Sequence, residues 1–124
     1  MRIAAACLLI SLQLTLPVRA ESTDDEIAYL LQAIRQSPCI FIRNGSDYGG
    51  IAAAEHVQAK YEHFKHEIRT AEDFIARAAT KSLLTGEPYM VRCEHEPTIA
   101  AAEWLHAVLG AYRARNEKPP TNPQ

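Results

Sequence analysis

The chain has 124 residues, 48% of them hydrophobic and 23% charged, with a formal net charge of −2 and three cysteines. That length holds one domain. The hydrophobic fraction excludes a disordered polar chain, and the near-neutral balance excludes a basic nucleic-acid footprint over the whole chain.

Residues 1–20 read as a cleaved secretory signal. Arg2 supplies the positive start, residues 3–16 are mostly Ala, Leu, Ile and Cys, and Pro17 is followed by a Val18-Arg19-Ala20 cleavage pattern. The apolar run falls short of the roughly 20 residues that span a bilayer. The expectation is an exported protein with no stable membrane anchor after cleavage. Without residues 1–20 the basic count drops from 13 to 11 against 15 acidic residues, a net charge of −4. Cys7 goes too, leaving Cys39 and Cys93. Two cysteines in an exported chain read first as one disulfide, with two buried thiols as the alternative.

The mature chain opens on a helix. Thr23 and Glu26 form a capping box, Asp24 and Asp25 suit the first turn, and Ile27, Leu30, Leu31 and Ile34 make one apolar face. Pro38 ends it. Cys39-Ile40-Phe41-Ile42-Arg43 reads as a buried strand closed by Asn44-Gly45. A polar loop, 46–50, feeds a second helix over roughly 50–67 whose stripe is Ile51, Ala54, Val57, Tyr61, Phe64 and Ile68. A third helix starts at Thr70 and runs to about Ser82, with Phe74, Ile75, Ala78 and Ala79 inward. After a turn at 85–88, Tyr89-Met90-Val91-Arg92-Cys93 is a second strand. Thr98 caps the last helix, with Ile99, Ala102, Leu105, Val108, Leu109 and Tyr112 at helical spacing. The expected domain is 21–114, and 115–124, with three prolines, is expected to be a flexible tail.

The fold class is therefore α+β: a small single domain in the order α-β-α-α-β-α, with a two-stranded ribbon packed by helices. The cysteines set the ribbon's direction. In a parallel in-register pair, Cys39 and Cys93 would lie on the order of 13 Å apart. A disulfide needs Cα atoms within about 7 Å. A bridge thus requires antiparallel strands, with 39 opposite 93, 41 opposite 91 and 43 opposite 89. The end of the ribbon away from the bridge then gathers Arg43, Asn44, Ser46, Asp47, Tyr48, Lys81, Ser82, Thr85 and Tyr89. The N-terminus of the second helix joins them, with unpaired backbone N–H groups.

The segment Phe41-Ile42-Arg43-Asn44-Gly45-Ser46-Asp47-Tyr48 is followed by Ala54-Glu55-His56, Lys60-Tyr61, Thr70-Ala71-Glu72-Asp73-Phe74-Ile75, Lys81-Ser82 and Thr85-Gly86-Glu87-Pro88-Tyr89-Met90-Val91. This ordered set resembles the YfeK-like family, small exported bacterial proteins of unknown function, over roughly residues 26–113. The resemblance implies a Gram-negative periplasmic protein with a cleaved signal. It implies no activity.

Residue chemistry favours a non-catalytic binding or accessory domain with a polar site at 43–48 and 81–89. Arg43 offers a fork for an anion, with hydroxyl and backbone donors nearby. One alternative is a small hydrolase or transferase using Ser46 or Ser82 with Lys81 or Lys60. Neither a G-x-S-x-G elbow nor an S-x-x-K motif is present to support it. A structural or interaction protein is the third reading. Helical wheel geometry puts Glu55, His56, Glu62, His63 and His66 on the solvated face, and no metal site or cofactor is expected. Trp104 reads as boundary packing. The expected partner is an undefined periplasmic protein or polar ligand, not nucleic acid.

Overall fold

The structure is a computed structural model that describes residues 12–14 and 22–117; most of the expected signal, its cleavage site and most of the proline-rich tail lie outside the described residues. Among the described residues, four helices pack around one core and a four-stranded antiparallel sheet lies against them.

Helix α1 spans Thr23–Gln36. Its N-cap is Ser22, not Thr23: the Ser22 hydroxyl accepts from the Asp25 amide at 3.1 Å, and the Asp25 carboxylate accepts from the Ser22 amide at 3.2 Å. Ser22/Asp25 and Thr23/Glu26 offer the same three-residue pattern one position apart. The earlier pair caps the helix, which frees Glu26 for a long-range partner.

Strand β1, Ile40–Arg43, turns through Asn44 (φ 50°) and Gly45 (φ 74°) into β2, Ser46–Tyr48. Two consecutive residues at positive φ make the two-residue turn that matches strand twist, and Asn-Gly is its preferred sequence. The expected loop at 46–50 is therefore partly an edge strand. Strand β3, Met90–Arg92, pairs with β1 in the register deduced from the cysteines, Phe41 opposite Val91. The Cys39–Cys93 bridge closes just beyond the ladder, with Cα atoms 4.5 Å apart.

A fourth strand, β4, is Ile99–Ala100. The sheet order is β2-β1-β3-β4, so the expected two-stranded ribbon is the centre of a larger sheet. Because Ile99 and Ala100 pair with Val91 and Met90, the last helix, α4, spans Ala101–Glu117 and does not start at Thr98. It continues past residue 114 into the expected tail, where Arg115 donates to the Tyr29 hydroxyl at 2.5 Å.

Helix α2 spans Gly50–Phe64 and ends in a 3-10 turn, Lys65–Glu67. Its buried residues are Gly50, Ala54, Val57 and Lys60, whereas Ile51, expected inside, is 60% exposed. Gly50 explains the rotation. A Cβ there would lie 2.8 Å from the Arg35 carbonyl and 3.0 Å from that of Ser37, and closer still to that of Ile34. Only glycine lets α2 start against the last turn of α1. The positive end of α2 thus meets the carbonyl end of α1, so it is not the free anion site expected from sequence.

Helix α3 is Ala71–Ala78, capped by Thr70 and shorter than expected. Thr80 donates its hydroxyl to the Ile75 carbonyl at 2.7 Å, and Lys81 leaves to pair with Pro88. Phe74, Leu30, Ile34, Ile75, Leu105, Leu109 and Val91 are fully buried and form the centre of the core.

Candidate functional site

Alternation along β1 places Phe41 and Arg43 on one face. Phe41 is buried in the core, so Arg43 reaches inward under α2. Tyr48, opposite Phe41 in the register of β2, shares that face. Tyr89, just before β3, is buried there too. Between this face and α2 lies a cavity of about 100 Å³. Phe41, Ala52, Ala53, Val57, Ala101 and Leu105 supply much of its apolar wall, and Arg43, Tyr48, His56 and Tyr89 its polar side.

The polar side is a connected chain of hydrogen bonds. Arg43 Nη1 lies 2.9 Å from Nδ1 and 3.2 Å from Nε2 of His56, and Nη2 donates to the Tyr48 hydroxyl at 3.2 Å. The guanidinium also lies over the Tyr48 ring. A guanidinium only donates, so His56 accepts and is neutral. His56 Nε2 also lies 3.0 Å from the Tyr89 hydroxyl, to which it is hydrogen-bonded. Lys60 Nζ donates to the same hydroxyl at 3.1 Å and to the Lys81 carbonyl at 2.7 Å.

The charges agree with that wiring. Burial first, then Arg43 and Lys60, hold the His56 pKa below its ordinary value. Burial, then Arg43, lowers that of Lys60. Burial raises that of Tyr89, opposed by Arg43. Among the described residues, neither Arg43 nor Lys60 has a carboxylate partner.

The nine residues expected at the site fall into three groups. Arg43, Tyr48 and Tyr89 line the cavity. Asn44, Ser82 and Thr85 clasp the two loops together: Asn44 Nδ2 donates to Ser82 Oγ at 3.2 Å, and the Thr85 hydroxyl donates to Asn44 Oδ1 at 2.6 Å. Asp47, Ser46 and Lys81 stand apart. Asp47 pairs with Arg92 at 2.7 Å, Ser46 is exposed on the edge strand, and Lys81 engages Lys60 through its backbone carbonyl. Ser82 Oγ also accepts from the amides of Leu84 and Thr85, so its oxygen organises a turn.

Sequence reasoning put His56 on the solvated face and named Lys60 only as a possible base. Helix α2 is packed on two sides, against α1 and α3 and against the sheet, and a single-stripe wheel describes only one of them. The run Ala52-Ala53-Ala54 was the available signal, because small residues mark close approach of another element. His63 and His66 are exposed. Among the described residues no group of three or more His, Cys, Asp or Glu is placed to hold a metal, and no helix is long and apolar enough to cross a membrane.

Comparison with known proteins agrees with the motif resemblance. The chain is 36% identical over 87 residues to "Uncharacterized protein YfeK" of Salmonella typhimurium (strain LT2), a match covering 67% of this chain and 72% of that protein. No solved structure matches. A model of the family of unknown function DUF5329 matches residues 21–113, the whole helical and sheet framework up to Arg113, and the chain belongs to that family.

Proposed function

We propose that this is an exported, periplasmic, non-catalytic binding protein whose small-molecule site is the cavity between α2 and the sheet. The observation that carries the reading is the cavity itself: an apolar space with a few convergent polar groups on one side, the usual form of a ligand site. Sequence reasoning favoured a polar site on the loops. The geometry supports a site one layer deeper, with the Asn44–Ser82–Thr85 clasp holding its rim. The signal-like residues 1–20 support export.

An amide-resolved NMR titration with n-butanol tests the site. Shifts should concentrate at Ala53, His56, Val57 and Tyr89, and Ala53→Leu, which fills the space, should abolish them. Shifts scattered over the surface, or unchanged in Ala53→Leu, retire the reading. N-terminal sequencing of protein from a periplasmic fraction should begin at Glu21; an intact Met1 there argues against cleavage.

A further inference from the structure

The cavity's polar side is rich in donors. Arg43 donates into it, and Lys60 donates from behind Tyr89. Two hydroxyls receive them. Tyr89 accepts from Lys60 and is hydrogen-bonded to His56, and Tyr48 accepts from Arg43. Tyr48 keeps its own O–H proton, which has no acceptor among the described residues.

Charge points the same way. Arg43 is half-buried, held only by neutral acceptors, and its remaining N–H groups are uncommitted. His56 is neutral, and Lys60 stands behind Tyr89, outside the cavity lining. The net demand is therefore one negative charge that accepts several hydrogen bonds, attached to something apolar. Size sets the rest. An engineered cavity of about 150 Å³ accommodates benzene, so the 100 Å³ here suits a short aliphatic chain.

We infer that the ligand is a small monocarboxylate with a short apolar tail, its head group taken by Arg43 and the Tyr48 and Tyr89 hydroxyls and its tail laid against Ala53, Val57 and Leu105. This rests on the cavity reading above and adds the ligand's charge and shape to it. A carboxylate supplies acceptor lone pairs for all three donors and neutralises the unpaired guanidinium.

Three probes of matched length separate the two levels: n-butyrate, n-butanol and n-butylammonium, titrated against the purified protein by amide-resolved NMR. Butyrate should bind about tenfold more tightly than butanol, the scale of one charge-assisted hydrogen bond. Butylammonium should bind more weakly than butanol. Arg43→Met should erase the preference, so that butyrate and butanol bind with equal affinity. Tyr89→Phe and Tyr48→Phe, which keep the rings, should each weaken butyrate more than butanol, so the result survives if Arg43→Met fails to fold. Equal affinity for butyrate and butanol overturns the carboxylate assignment and leaves the cavity reading intact. If none of the three probes shifts the cavity amides, both fail.

Discussion

Arg43 and Arg113 are two part-buried arginines that tie separate elements together, and their surroundings are opposite. Arg113, on α4, donates through Nε to Glu26 of α1 at 2.5 Å, again through Nη2 at 3.1 Å, and through Nη1 to Glu72 of α3. Its partners are carboxylates, so Arg113 stays charged and the Glu72 carboxyl is held below its usual pKa, chiefly by the hydrogen bond from Arg113. Arg43 reaches only an imidazole and a phenol. The first is a completed clamp across three helices. The second is a cation with its counter-charge missing, beside an apolar hollow. A completed ion pair serves the fold, whereas an incomplete one is available to a ligand.

The largest expected effect removes the frame that both regions share. Replacing Cys39 and Cys93 by alanine opens a loop of 54 residues, and the chain-entropy model puts the loss at about 4 kcal/mol. Urea unfolding of the double variant should show it; a loss below about 1 kcal/mol would mean that the hydrophobic core alone holds β1 to β3. Gly50→Ala comes next. The added methyl meets carbonyls of α1, so α2 must shift, at a cost of roughly 1–3 kcal/mol. An unchanged urea midpoint would show that the α1–α2 contact yields easily.

The two arginines then separate. Arg113→Met should cost about 1 kcal/mol, a figure kept low because the side chain is 37% exposed and solvent screens it. Arg43→Met should change stability by less than about 0.5 kcal/mol or raise it, since it relieves an unpaired cation and adds apolar surface beside the cavity. Equal losses in both variants would erase the distinction between clamp and open site.

The smallest effect is the pH dependence from His56. Its folded pKa lies below the ordinary value of 6.5, so at neutral pH both folded and unfolded chains hold it uncharged. As pH falls through about 6.5 the unfolded chain takes the proton first, and stability declines until the lower folded pKa is passed. His56→Gln should lose less stability than wild type between pH 7 and pH 5. The reverse order would mean that His56 is stabilised as a cation, against the neutral imidazole that the Arg43 contact requires.

Much of the fold was legible in residue patterns. The pairing of Phe41 with Val91 followed from two cysteines and the reach of a disulfide. The two outer strands were not, for physical reasons. Ser46-Asp47-Tyr48 sits on an edge and carries no apolar alternation, and Ile99-Ala100 continues the helical spacing of the segment behind it. Of the site, Arg43, Tyr48 and Tyr89 were reachable from the antiparallel register, which gathers them at the end of the ribbon away from the bridge. His56 and Lys60 were obscured because their burial depends on a sheet that runs along the flank of α2, and Gly50 sets that rotation through contacts with α1 carbonyls. Local periodicity carries no record of such a contact.

The strand lengths have a consequence for the molecule's behaviour in a crowded compartment. The central strands β1 and β3 are covered on both sides by neighbours, while the outer strands β2 and β4 are three and two residues long. Short borders offer few open backbone groups for a foreign strand to copy, and Asp47 with its Arg92 partner places exposed charge on one of them. In the folded molecule the sheet therefore offers little template for further growth at either edge.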